Sequence, residues 1–180
     1  MSDISDYSAA LVFGSDTGNT EEIGEKIVDA LAERACPVEM INVNEASAEV
    51  LESFDFLIMG IPTWDFGGIQ EDWEEFEDEL ADTDLSGKVI AIYGLGDQFG
   101  YADYFVDAMG WLYDRVKDKG VHVIGFWPNE GYEFSASKGL IDKKGTTFCG
   151  LVIDEDQQFE LTDQRVATWI EQITTEIANL

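Results

Sequence analysis

Three short segments hold the residue types that could bind a phosphorylated, planar ligand. The first is Ser15-Asp16-Thr17-Gly18-Asn19-Thr20, directly after the apolar run 9–13. Three hydroxyls and a glycine at the start of a helix offer backbone N–H groups and a helix dipole to an anion. Asn19 stands where a Walker loop has Lys, and the glycine spacing is not that of a dinucleotide loop. Taken alone, the segment is equally a hydroxyl-rich helix cap. The second is Pro62-Thr63-Trp64-Asp65-Phe66-Gly67-Gly68, where a Trp bounded by Pro and Gly is poorly explained by core packing. The third is Gly94-Leu95-Gly96-Asp97-Gln98-Phe99-Gly100-Tyr101. Either loop aromatic alone reads as packing. Together they suggest a flat ring between Trp64 and Tyr101, with its phosphate at the first loop.

The elements that must position these loops alternate along the chain. Apolar runs at 9–13, 38–43, 54–61, 89–93 and 121–126 predict five buried strands. Between them, Ile23, Ile27, Ala30, Leu31 and Ala35 make a helical stripe, as do Ile69, Trp73, Phe76 and Leu80. A third helix is expected over 102–119, closed by Gly120, and Val166, Trp169, Ile170, Ile173 and Ile177 stripe a last one. Apolar strands alternating with helices predict an α/β fold, a doubly wound parallel sheet covered on both faces. Ligands of such sheets bind at the carboxyl ends of the strands, where strand order reverses. The three loops follow the first, third and fourth strands. Residues 128–147 break the rhythm and read as an insertion at the fifth strand, which resumes over 148–153. No linker or repeat divides the chain, so residues 1–180 are expected to form one domain.

Charge narrows the function. Ten Lys and Arg against 38 Asp and Glu give a net charge of −28 in 180 residues. Nucleic acid and anionic membrane surfaces both require clustered cations and are disfavoured. A basic protein partner is favoured, attracted at long range. There is no apolar run long enough to span a bilayer, and residues 1–7 lack the layout of a signal peptide. Cys36 and Cys149 lie far apart and read as buried thiols of a cytoplasmic protein.

The ordered set of motifs resembles the long-chain flavodoxins over essentially the whole chain. Ser15 to Thr20 match the family's T/S-x-T-G-x-T phosphate motif, Pro62 to Trp64 its Pro-Thr-Trp loop, and Gly96 to Ala102 its Gly-Asp-Gln…Tyr-Ala loop. Gly131-Tyr132-Glu133-Phe134 resembles the long-chain insertion, and Asp154-Glu155-Asp156 the segment before the last helix. The runs 69–74 and 93–98 resemble the second flavodoxin of gamma-proteobacteria. The resemblance implies a five-stranded sheet of order 2-1-3-4-5 and FMN as cofactor. It further implies a low-potential one-electron carrier shuttling between semiquinone and hydroquinone, with no catalytic residues and no metal. Its partners would be a flavodoxin/ferredoxin-NADP reductase and a redox acceptor with basic faces, the carrier itself being a monomer.

Residue by residue, the resemblance assigns the phosphate to Ser15, Thr17 and Thr20 with the N–H groups of Asp16, Gly18 and Asn19 among them. Pro62 and Thr63 lead to Trp64, which would stack on the dimethylbenzene side of the isoalloxazine. Tyr101 would cover the opposite face. Backbone groups of Asp65, Phe66 and Gly67 would meet N5 and O4. The strand-end run Gly94, Leu95, Gly96 leads to the backbone of Asp97 at N1 and O2; Tyr104 backbone would take N3–H, and Asp156 would lie near the ribityl chain. The family commonly has Asn, Asn and Gln where this chain has Asp65, Tyr104 and Val106, so Val106 brings no polar side chain to O2.

Seven acids between residues 71 and 79 read as a solvated helix face and as a docking surface for a basic reductase. His122, the only histidine, reads as structural. An alternative function is a flavodoxin-like NAD(P)H-dependent quinone reductase, which needs open space above the flavin that a stacked Tyr101 would close. A phosphoacceptor receiver is rejected, because its acidic pair, central Asp and Lys are replaced by Gly14-Ser15, Gly60-Ile61 and Trp127-Pro128.

Overall fold

The computed structural model describes residues 3–180. Its parallel strands are β1 (Ala9–Phe13), β2 (Val38–Asn42), β3 (Phe56–Trp64) and β5 (Val89–Leu95), with the short β4 (Gly68–Ile69) folded back on β3. A fifth position is shared by β6 (His122–Ile124) and β9 (Leu151–Ile153), and β7 (Trp127–Pro128) pairs with β8 (Thr147–Phe148) between them. The helices are α1 (Asn19–Ala32), α2 (Ala48–Glu52), α3 (Glu71–Asp82), α4 (Asp107–Val116) and α5 (Thr162–Ala178).

The order across the sheet is β2-β1-β3-β5-β6, the expected 2-1-3-4-5 once the short strands are set aside. Every residue of β1 and β5 is buried, as a strand covered on both faces requires, whereas the edge strand β2 keeps Glu39 exposed. On α1 the stripe residues Ile23, Ile27 and Leu31 are buried; on α5, Val166, Trp169, Ile170, Ile173 and Ile177. α1 and α5 pack on each other over one face of the sheet. On the other, an ion pair from Arg115 to Glu77 joins α4 to α3.

The insertion leaves and rejoins one strand position. β6 pairs Val89–Ala91 of β5, and β9 pairs Tyr93–Leu95 of the same strand. The expected fifth strand over 121–126 therefore stops at Ile124, where Gly125 turns at φ +81 beneath the Trp169 ring. Three further boundaries differ. The helix expected from residue 102 begins at Asp107, because the backbone of Ala102 and Phe105 bonds to Ser135 and Ala136 of the insertion and Val106 sits at φ +47. Ile69 lies in β4 rather than on the α3 stripe, and Gln70 caps α3 by accepting from the Trp73 N–H. α2, capped by Ser47, carried too short a pattern to be read from periodicity.

Candidate cofactor-binding site

The carboxyl ends of β1, β3 and β5 open into one cleft, lined by Thr17, Asn19, Thr20, Pro62, Thr63, Trp64, Leu95, Gly96, Asp97, Tyr101, Glu155 and Asp156. Its floor is the loop 15–20. Gly18 at φ +93 begins α1 without any side-chain cap, and a Cβ there would meet nothing within 4 Å. Gly18 N–H donates to Ser15 Oγ (2.9 Å), and Glu22 N–H to the Gly18 carbonyl (3.0 Å). The N–H groups of Asp16, Thr17, Asn19, Thr20 and Glu21 find no acceptor among the described residues. Unmet donors at a helix start, with no Lys or Arg among the lining residues, form a neutral anion cradle. Thr20 is buried, and the buried Tyr93 hydroxyl donates to its carbonyl (2.8 Å), holding the helix start down.

The side walls are aromatic. Trp64 closes β3, half-buried, and its indole Nε1–H is buried without a hydrogen-bond partner. Asp65 (φ +46), Phe66 and Gly67 (φ +85) make the turn into β4. Across the cleft, Tyr101 donates its hydroxyl to Asp65 Oδ1 (3.3 Å). The Asp65 charge, and then that hydrogen bond, hold the Tyr101 phenol above its ordinary pKa. Phe66 is 77% exposed and meets Tyr101 and Tyr104 edge-on, with ring centroids 6.4 and 5.7 Å apart.

Acids complete the rim. Burial would raise the Asp97 carboxyl, but the N–H groups of Gly100 and Phe99 and the Gln157 amide outweigh it, leaving it below the usual range. Burial raises Asp156, with the Asp97 and Asp154 charges adding, and burial likewise raises Glu155. Asp154, wholly buried, accepts from Gln98 through both N–H (3.0 Å) and Nε2 (2.8 Å), fastening the Tyr101 loop to the end of β9.

A family model described as "Flavodoxin" matches residues 11–169. The chain belongs to the flavodoxin family. It is 48% identical to Flavodoxin 2 of Escherichia coli K12 over 168 residues, covering 93% of this chain and 95% of that one. To Flavodoxin 1 of the same strain it is 46% identical over 167 residues, 93% of each. Among solved structures, a mutant of Fusobacterium nucleatum flavodoxin bound to flavin mononucleotide superposes with a TM-score of 0.86. That match has 31% identity over 95% of this chain and 97% of that one.

Within this flavodoxin, eleven of the expected site residues line the cleft: Thr17, Asn19, Thr20, Pro62, Thr63, Trp64, Leu95, Gly96, Asp97, Tyr101 and Asp156. Ser15, Asp16 and Gly18 belong to the same loop, Ser15 with its hydroxyl already engaged by Gly18. Asp65, Phe66, Gly67 and Tyr104 form the rim beside it. Gly94 lies inside β5, where its missing side chain admits Met109 of α4; a Cβ there would be 2.9 Å from Met109 Cβ. Val106 is fully buried against Gly96 and Gly139, turned away from solvent. Glu155, which lines the cleft, and the latch made by Asp154 and Gln98 were not among the expected site residues. Their signal was the acidic run at the end of the resumed strand, adjacent to the third loop.

Proposed function

We infer that this flavodoxin carries electrons on FMN held in the cleft, the phosphate on the loop 15–20 and the isoalloxazine between Trp64 and Tyr101. Unmet backbone donors carry the reading, because a neutral cradle of N–H groups and hydroxyls suits a phosphate monoester and nothing else in the cleft would satisfy them. Bound there, the cofactor supplies one-electron storage at its ring; the protein itself turns over no substrate. The chain's work is to bind, shield and tune. Trp64 and Tyr101 exclude water from the two ring faces. The 65–67 turn offers backbone groups at the ring edge, and Asp97, Glu155 and Asp156 surround the site with negative charge that opposes further reduction. The contact of Tyr101 with Asp65 and Phe66 closes the space a nicotinamide would need, which favours a carrier over a quinone reductase.

On this reading residues 1–180 act as one FMN-binding unit, a cytoplasmic monomer. It takes electrons from a flavodoxin/ferredoxin-NADP reductase and passes them to an acceptor enzyme, each with a basic face. The exposed acids of α3, beside the cleft, support such docking. No helix of the described residues is long and apolar enough to cross a membrane.

Titrating apoprotein with FMN and with riboflavin tests the site. FMN binds far more tightly, since only it fills the cradle. Thr17→Ala weakens FMN by about tenfold, or 1.4 kcal/mol, in line with one hydrogen bond to a charged group, and leaves riboflavin unchanged. Equal loss for both ligands would contradict the assignment.

A further inference from the structure

Behind the 65–67 turn lies a buried carboxylate that the cofactor reading does not use. Asp107, in the first turn of α4, is only 4% exposed. The insertion reaches it through the Lys138 N–H, which donates to Asp107 Oδ1 (2.8 Å). The turn rests on its other side: a Cβ built on Gly67 would lie 3.1 Å from Asp107 Oδ2 and 3.4 Å from Tyr104 Cδ1. No donor among the described residues meets Oδ2. One residue on, the Ala108 N–H donates to Thr63 Oγ1 (3.0 Å), fixing this corner of α4 to the end of β3. Among the described residues, two of the three non-glycine residues with positive φ, Asp65 and Val106, flank this contact. Strained backbone stands on both sides of a largely buried carboxylate whose second oxygen is not sealed from solvent but lies on the cleft shared with Trp111 and Lys138.

We propose that Asp107 is a positioning residue for the cofactor turn: it joins the insertion to α4, seats Gly67, and sets a buried negative charge behind the turn that meets the isoalloxazine. The proposal rests on the reading that the 65–67 turn contacts the ring. It gives the insertion a task, since Lys138 supplies the only hydrogen bond the carboxylate accepts among the described residues.

The charged and titratable groups around Asp107 are few. Lys138 comes from the insertion, Asp65 from the turn and Tyr104 from the preceding loop. Asp114 and Arg115 come from α4, with Arg115 paired to Glu77 of α3. β4 contributes Gly68 and Ile69, which carry no charge. Burial pushes the Asp107 carboxyl above the usual carboxylate range, against the opposing Lys138 N–H and Lys138 charge. For an acid whose folded-state pKa is raised, native stability falls as pH rises through that pKa. Asp107→Asn keeps an acceptor for Lys138 and removes the charge. It is therefore more stable than the wild type at neutral pH, by a margin that closes as pH falls.

The test is a spectroelectrochemical titration of FMN-loaded wild type and Asp107→Asn between neutral and mildly acid pH. Amide NMR of Gly67 and Lys138 is recorded alongside, in apo and loaded protein. At neutral pH the variant favours reduction at least threefold more than the wild type, about 28 mV at 59 mV per tenfold. Acidification brings the wild type toward the variant, and its Lys138 amide shift titrates in step with the potential. Superimposable potentials at every pH, with the Gly67 amide still displaced by FMN, would overturn the role of Asp107 and leave the cleft assignment standing. A Gly67 amide indifferent to FMN would instead remove the contact of the turn with the ring, and the proposal with it. Should the variant not fold, the wild type decides alone: a Lys138 amide that titrates while the potential does not would refute the proposal.

Discussion

Gly67 shows how narrowly the cofactor turn is built. It combines φ +85 with a neighbour 3.1 Å from any added Cβ, so backbone strain and crowding act together. Gly67→Ala should cost about 1–3 kcal/mol in urea unfolding of the apoprotein and weaken FMN and riboflavin alike, because both share the ring. Loss confined to FMN would place the turn at the phosphate instead. Asp65 in the same turn stands at φ +46, a conformation glycine adopts at less cost, so Asp65→Gly relieves strain there. At this scale the sequence was informative where a residue type has few uses. A Trp between Pro and Gly, or hydroxyls before a helix, leave little choice. It was uninformative where one type has two uses: Gly94 reads as a loop glycine, yet it makes room for Met109.

Between elements, Gln70 links the α3 cap to the phosphate loop. It is fully buried, accepts from Trp73 N–H (3.2 Å), and donates to Asp16 Oδ1 (3.2 Å) and Asp72 Oδ2 (2.9 Å). Gln70→Ala removes a cap and a support of the loop 15–20 together. We expect about 1–2 kcal/mol of lost apoprotein stability by urea unfolding, and a larger loss of affinity for FMN than for riboflavin by titration. The strands and the α1 and α5 stripes were legible because burial on one or both faces writes a period into the chain. The start of α4 was not. Ala102 to Phe105 suit a helix locally, but the insertion claims their backbone: Ser135 and Ala136 N–H donate to the Ala102 carbonyl, and Phe105 N–H donates to the Ala136 carbonyl. Such long-range hydrogen bonds leave no mark in local periodicity, and so the brace of the Tyr101 loop was invisible until the fold was seen.

Over the whole molecule the dominant quantity is the net charge of −28 around a site for a dianion with no cation to meet it. Screening acts within about 8–10 Å at moderate salt, so added salt weakens the repulsion between the surface acids and the ligand. FMN affinity should therefore rise by about threefold or more from low to high ionic strength, while riboflavin affinity barely changes. A site held by Lys or Arg would show the opposite trend. Salt should also slow reduction by a basic partner protein, since the same field steers the encounter. On the proposed reading, the acidic rim and the aromatic walls would together separate the first electron from the second. Adding charge to the bound ring becomes harder once it can no longer be offset nearby. The most direct test of that account is a reductive titration of the FMN-loaded protein followed by visible absorbance at known potential. A yellow protein reduced in two resolved one-electron steps is expected, the second at clearly lower potential, with an intermediate spectrum between them. A single two-electron step straight from the oxidised to the fully reduced spectrum would contradict it.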